Sequence, residues 1–66
     1  MNAKNNVLVR WNGSPHHISF NISRKDQCAT VKYYKNYNFV ETVQCDVSGA
    51  DDRWKQAIES GYEVAF

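Results

Sequence analysis

Two histidines and two cysteines are the side chains of this sequence best suited to metal binding or nucleophilic chemistry. They are His16, His17, Cys28 and Cys45. A structural zinc site usually contains closely spaced ligand pairs such as CxxC or HxxxH, and the sequence has neither. Adjacent histidines would also point to opposite sides of a strand. The spacing therefore favours solvent-facing histidines and cysteines that serve as small core or surface residues, so we expect no metal ion and no other cofactor.

Carboxylates and serines are present, but without the spacing that catalysis requires. A cysteine nucleophile needs a base for its proton and a third group that orients the base. Asp26, Glu41 or Asp46 could serve as such a group, but carboxylates of this kind occur in any small protein and are not diagnostic. Asp51 and Asp52 are adjacent and would diverge at the start of a helix, and no glycine-rich phosphate loop is present. The sequence therefore predicts a protein that is not an enzyme.

Charge is divided unevenly along the chain. Through Asn36 six basic residues stand against one acidic residue, a sum of +5, and from Tyr37 onward two basic residues stand against six acidic ones, a sum of −4. The total of +1 allows little counterion release, which argues against capture of bulk nucleic acid. A one-sided distribution suits a specific partner with a charged patch. Charge pairing within the fold, or between two copies as a weak dimer, is the alternative to a separate partner.

Lysines and tyrosines alternate in the segment KYYKNY, residues 32–37. Such a segment can stack bases and hold phosphates, although tyrosines half-buried in a sheet between solubilising lysines give the same pattern. Tyrosine, tryptophan and arginine also dominate the hot spots of protein interfaces. We therefore expect a protein-binding surface, with single-stranded nucleic-acid binding through residues 32–37 as the alternative. The residues predicted to form that surface are Arg10, Arg24, Lys25, Lys32, Tyr34 and Lys35.

Residues 7–11 and 17–23 have the alternating apolar pattern of two strands. Residues 12–16 between them are rich in turn-forming types, so the two strands should form a hairpin. The register that places most apolar residues on one buried face pairs Trp11 with Ile18, Val9 with Phe20 and Val7 with Ile22.

Residues 28–35 and 39–47 predict a second hairpin, after a charged turn at 24–27. A helix that begins at Ser23 is the main rival for the first of these segments. A tight loop centred on residues 36–37 would place four pairs of compatible side chains opposite each other, and this favours strand over helix. They are Tyr34 with Phe39, Lys32 with Glu41, Thr30 with Val43 and Cys28 with Cys45.

A helix should follow the second hairpin, with Ser48 as its cap and Asp51 and Asp52 in its first turn. Gly61 should end it, and residues 62–66 alternate as a final strand. The apolar face of the helix is formed by Ala50, Trp54, Ala57 and Ile58.

The sequence as a whole predicts an α+β fold, a small antiparallel sheet of two hairpins and a C-terminal strand with one helix packed on a face. We expect residues 1–66 to form one domain, with residues 1–6 as a disordered tail. No apolar run resembles a signal sequence or a membrane span, so we expect a cytoplasmic protein with reduced cysteines.

The segment NVLVRWNGSPHH, residues 6–17, resembles the start of the small regulators of host RNA polymerase encoded by phages such as those of Xanthomonas. The resemblance covers the first hairpin and assigns no binding residues. Members of that class inhibit initiation by interfering with promoter-factor engagement, and some also alter termination. The resemblance therefore implies a phage-encoded protein that binds bacterial RNA polymerase in the host cytoplasm.

Overall fold

The computed structural model describes residues 3–11 and 15–65. Five strands form one antiparallel sheet in the order β4-β3-β2-β1-β5, and a single helix packs on one of its faces. This arrangement confirms the α+β fold. No helix in these two ranges is long and apolar enough to cross a membrane. The elements are β1 Val7–Trp11, β2 Pro15–Ser23, β3 Cys28–Lys35, β4 Asn38–Asp46, α1 Val47–Glu59 and β5 Glu63–Val64.

The core lies between α1 and the sheet face beneath it. Leu8 and Val31 are 0% exposed, and the rings of Phe20 and Trp54 meet edge to face with centroids 5.1 Å apart. The predicted apolar face of the helix is confirmed, since Ala50, Trp54 and Ala57 are buried and Ile58 packs against the core. The remaining buried apolar residues are Ala3, Ile18, Ile22, Ala29 and Val47.

The first hairpin forms, but its predicted register is wrong. β2 begins at Pro15, and Val9 pairs with His17 rather than with Phe20, three residues further along β2. A displacement by an odd number of residues moves every side chain to the other face of the sheet. Leu8 is therefore in the core, and Trp11, expected to be inward, is 69% exposed on the face opposite α1.

The second hairpin confirms strand rather than helix for residues 28–35. Asn36 and Tyr37 both have positive φ, 54° and 67°, as the two central residues of a type I′ hairpin turn require. Tyr34 pairs with Phe39 as predicted.

Beyond this pair the predicted register of the second hairpin is wrong, because Val40 is an extra residue that forms a β-bulge. Cys45 consequently pairs with Ala29, and Cys28 pairs with Asp46. The two cysteines lie on opposite faces of the sheet, so the predicted Cys28–Cys45 pair does not form. The other shifted pairs are Lys32 with Thr42 and Thr30 with Gln44.

The helix begins two residues earlier than expected from a cap at Ser48. Asp46 is the N-cap, and its carboxylate accepts a hydrogen bond from the Gly49 backbone N–H at 2.7 Å. The prediction of Ser48 as the cap, with Asp51 and Asp52 in the first turn, is therefore wrong. The earlier start brings Val47 into the core.

The helix ends before Gly61 as predicted, and the predicted final strand forms but is shorter than residues 62–66, since Tyr62 and Ala65 are not part of it. Gly61, with φ 99°, follows the C-cap Ser60 and turns the chain back towards the sheet. β5 then pairs with β1. Phe66, the last residue of the predicted strand, lies outside the described residues.

Residues 3–6, which we expected to belong to a disordered tail, contact the domain. Ala3 is buried, and its carbonyl accepts a hydrogen bond from Arg24 at 2.7 Å. The Asn6 carbonyl accepts a hydrogen bond from the Phe20 backbone N–H at 2.9 Å. Met1 and Asn2 lie outside the described residues. The N-terminal segment, from Ala3 onward, thus helps to close the core.

Candidate protein-binding surface

The sheet face opposite α1, here called the open face, carries a row of apolar and aromatic side chains. Cross-strand pairing places Val9, His17, Tyr34 and Phe39 side by side on β1 to β4. The row lies near the end of the sheet where the β3–β4 turn projects, so Tyr37 at that turn extends it. The strand alternation that buries Leu8, Phe20 and Val31 under the helix is what turns these residues outward.

We define the aromatic patch as Trp11, His17, Tyr34, Tyr37 and Phe39. The imidazole of His17 and the ring of Tyr37 have centroids 5.3 Å apart, and those of Tyr34 and Phe39 are 5.8 Å apart in an edge-to-face arrangement. Trp11 and Tyr37 are each 69% exposed and Phe39 is 58% exposed. Scattered apolar residues are normal on a surface, but a contiguous group of large ones typically marks an interaction site.

Two of the six residues predicted from sequence belong to or border this patch. Tyr34 is one of its members, and Lys32, two residues earlier in β3, is exposed on the same face. Lys35, also exposed, ends β3 beside the turn, but strand alternation places it on the helix side with its pairing partner His16. One carboxylate lies nearby, because Glu63 pairs with Val9 at the far edge of the sheet. The rim around the aromatic rings is therefore mixed, with Lys32 on the β3 side and Glu63 at the far edge.

The two predicted arginines are engaged within the fold instead. Arg10 lies on the helix side of the sheet, where its guanidinium is 4.8 Å from the centroid of the Tyr62 ring and donates to the Ser60 carbonyl at 3.2 Å. Arg24 donates to the Ala3 carbonyl and lies 3.5 Å from the Asp51 carboxylate. Both therefore tie the ends of α1 and the N-terminal segment to the sheet.

The remaining predicted residue, Lys25, is exposed in the turn at 24–27, at the opposite end of β2 and β3 from the aromatic patch. The six residues therefore do not form one surface, and the charge split along the sequence does not become a single basic face.

Trp11 and Phe39 belong to the patch, but the sequence alone does not predict them to be binding residues, for two reasons. Trp11 was placed in the core because the first hairpin was given the wrong register. Tyr37 belongs to the segment 32–37 that the sequence indicates for binding, whereas Phe39 is predicted only as the strand partner of Tyr34. The tight two-residue loop also indicates that Tyr37 is exposed, because its second residue lies at the tip of the hairpin with no strand to cover it.

A second polar contact lies on the helix side of the sheet. Arg53 donates a hydrogen bond to the Tyr33 hydroxyl at 2.8 Å, and this contact raises the pKa of the guanidinium above its ordinary value because it favours the charged form. Arg53 stays protonated in any case, so the contact joins α1 to β3 without supplying an acid or a base.

The histidines and cysteines are dispersed in the structure. His16 and His17 lie on opposite faces of the sheet, and so do Cys28 and Cys45. Within residues 3–11 and 15–65 no three His, Cys, Asp or Glu side chains lie close enough together to hold a metal ion. The best-formed surface feature in this part of the chain is thus the aromatic patch.

The fold and the patch define a class, a small α+β domain with one sheet face covered by a helix and the other open and aromatic. No protein-family model matches the sequence, no curated protein is detectably similar to it, and no solved structure matches its fold.

Proposed function

We propose that this chain is a small non-enzymatic module that binds a larger protein through the aromatic patch. The observation that supports this proposal is the group of exposed rings, Trp11, Tyr37 and Phe39, on a sheet face that the helix leaves open. Tryptophan and tyrosine contribute most to the affinity of protein interfaces, because they bury a large area and lose few rotatable bonds. A chain of 66 residues that exposes three such rings together offers a ready anchor.

The resemblance of residues 6–17 to phage regulators makes bacterial RNA polymerase the first target to test. The proposed mechanism is stoichiometric: the domain occupies a site that the polymerase uses for a promoter factor, and so inhibits initiation. Lys32 at the rim favours an acidic margin on the target. The contact requires no chemistry from the chain, only a rigid platform of paired strands.

The test measures binding of the labelled chain to purified bacterial RNA polymerase, with and without its promoter factor. Cys28 is exposed at the end of β3 away from the patch and is a convenient labelling site. Truncation of a hot-spot ring costs about 2 kcal/mol or more, so Trp11→Ser should weaken binding about thirtyfold. Lys25→Glu, at the other end of the sheet, is the matched control and should leave binding unchanged.

Two results would separate the parts of this proposal. If the wild-type chain does not bind the polymerase, the target is wrong, and capture from nuclease-treated bacterial lysate with the same variants should then identify another protein. If Trp11→Ser and Tyr37→Ser both bind as tightly as wild type, the aromatic patch is not the binding surface.

Single-stranded nucleic acid is the second candidate, and one observation favours it. The ring pairs His17–Tyr37 and Tyr34–Phe39 lie on an open sheet face beside Lys32, an arrangement on which successive bases can stack. Fluorescence anisotropy with a labelled single strand of about twelve nucleotides tests it. Binding that falls steeply with salt and is lost in Trp11→Ser would favour nucleic acid over protein.

A further inference from the structure

The edge strand β4 presents a second surface, which differs in kind from the aromatic patch. β4 pairs with β3 on one side, and no other strand of the described chain pairs with its other side. Each residue of β4, Asn38–Asp46, is exposed or half-exposed. A nine-residue edge leaves a long row of backbone N–H and C=O groups without strand partners.

This edge is long and lacks the lysine and proline residues that most directly discourage strand pairing. Natural edge strands are kept short or carry lysine or proline, and β4 contains neither residue type. β5, at the opposite edge of the sheet, is only two residues long. The bulge at Val40 is the one irregularity in β4, and from Glu41 to Asp46 its pairing with β3 is regular. A stretch of six residues is therefore available for the addition of another strand.

We infer that β4 accepts an extended, basic segment of a partner protein by strand addition. β4 carries the carboxylates of Glu41 and Asp46 and no cationic side chain, so a strand with lysine or arginine complements it. A second copy of the chain is less suitable, because two β4 strands side by side would bring four carboxylates together. Val40, 57% exposed beside Phe39, adds an apolar contact at the end of the edge nearest the aromatic patch.

The inference deepens the proposed function, since the same partner would contact the aromatic patch and the neighbouring edge. Side chains of an added strand alternate between the two faces of the sheet. Glu41 pairs with Tyr33 and lies on the helix side, whereas the carboxylate of Asp46 already caps α1, so the edge offers its available carboxylate to the helix side. The segment that fits best has basic residues on the helix side, near Glu41, and apolar residues on the open side, towards the aromatic patch.

The experiment uses the full chain and a peptide of about seven residues that alternates lysine and valine, long enough to cover a typical strand. Amide hydrogen exchange is followed by NMR. At a peptide concentration about ten times its Kd, exchange should slow by about tenfold at alternate residues between Glu41 and Asp46, because those amides point away from β3. The same peptide with alternate backbone nitrogens methylated keeps its charge but cannot pair, so its protection should disappear.

Matched variants test the charge argument. Glu41→Gln should weaken peptide binding about twofold to fivefold at low salt, whereas Glu59→Gln, the same change on the exposed end of α1, should not. Trp11→Ser should keep the protection of β4. A variant that no longer binds the polymerase but still binds the peptide shows that the two surfaces act separately. Failure of the proposed function and failure of this inference can therefore be distinguished.

Three outcomes would overturn the inference. The first is no protection of β4 at millimolar peptide, and the second is protection that survives backbone methylation. The third is a dimer of the chain alone, detected by sedimentation with β4 protected, because the edge would then belong to a second copy.

Discussion

Leu8 and Trp11 provide a direct test of which face of β1 is buried. Leu8 is 0% exposed, and truncation of such a leucine to alanine typically costs about 3 kcal/mol because it leaves a cavity. At about 0.05–0.15 kcal/mol per residue, a chain of this size has a free energy of unfolding of about 3–10 kcal/mol. Leu8→Ala should therefore remove a large part of the stability. Trp11→Ser, at a larger but exposed side chain, should change it by less than about 0.5 kcal/mol.

Urea unfolding measured by tryptophan fluorescence and circular dichroism makes the comparison, because Trp54 remains in the core of both variants. With a slope of about 1 kcal/mol per molar urea, Leu8→Ala should lower the midpoint by about 3 M. If that variant does not fold in water, Leu8→Val, expected to cost about 1 kcal/mol, replaces it. If Trp11→Ser lowers the free energy of unfolding as much as the Leu8 variant does, the observed register of the first hairpin is refuted. The face of β1 predicted from sequence would then be the buried one.

Three further predictions concern the ends of the second hairpin. Asp46→Ala should cost about 1 kcal/mol in urea unfolding because it removes the helix cap, whereas Ser48→Ala should change stability by less than about 0.5 kcal/mol; equal effects would contradict the observed cap. Mild oxidation should yield a disulfide-linked dimer through exposed Cys28, and Cys28→Ser should abolish it; an intramolecular bond to Cys45 on a non-reducing gel would contradict their placement on opposite faces. Tyr37→Gly should raise the free energy of unfolding by about 1 kcal/mol and still weaken partner binding, and a loss of stability would show that the ring supports the fold.

Sequence patterns predicted the type of every element but not the registers of the strands. The segment Val7 to Val9 is apolar throughout, so alternation alone does not show which side of β1 is buried, and the pairing with β2 decides it. In β4 the adjacent residues Phe39 and Val40 are also both apolar, and the bulge separates them. A bulge depends on local backbone geometry and on the twist of the sheet, which a single sequence does not specify.

Some of the predicted binding residues lie outside the aromatic patch for a related reason. A basic side chain has the same formal charge whether it faces solvent or lies against the fold. Arg10 packs on Tyr62, and Arg24 lies between Ala3 and Asp51, residues distant in sequence that only the tertiary structure brings near them. Lys32 and Tyr34 lie on a strand face that alternation predicts, and their placement together beside the turn follows from it.

The backbone conformation of Tyr37 supports the proposal that the aromatic patch binds a partner. A residue other than glycine with φ 67° costs about 1–2 kcal/mol, and an Asn-Gly pair would suit this turn better. The ring of Tyr37 contacts His17 but remains 69% exposed, so the contact offsets little of that cost. Trp11 and Phe39 likewise leave most of their surface in water, where it adds nothing to the stability of the isolated domain. Folding alone therefore does not explain this group of side chains, whereas burial against a partner would recover the apolar area of all three.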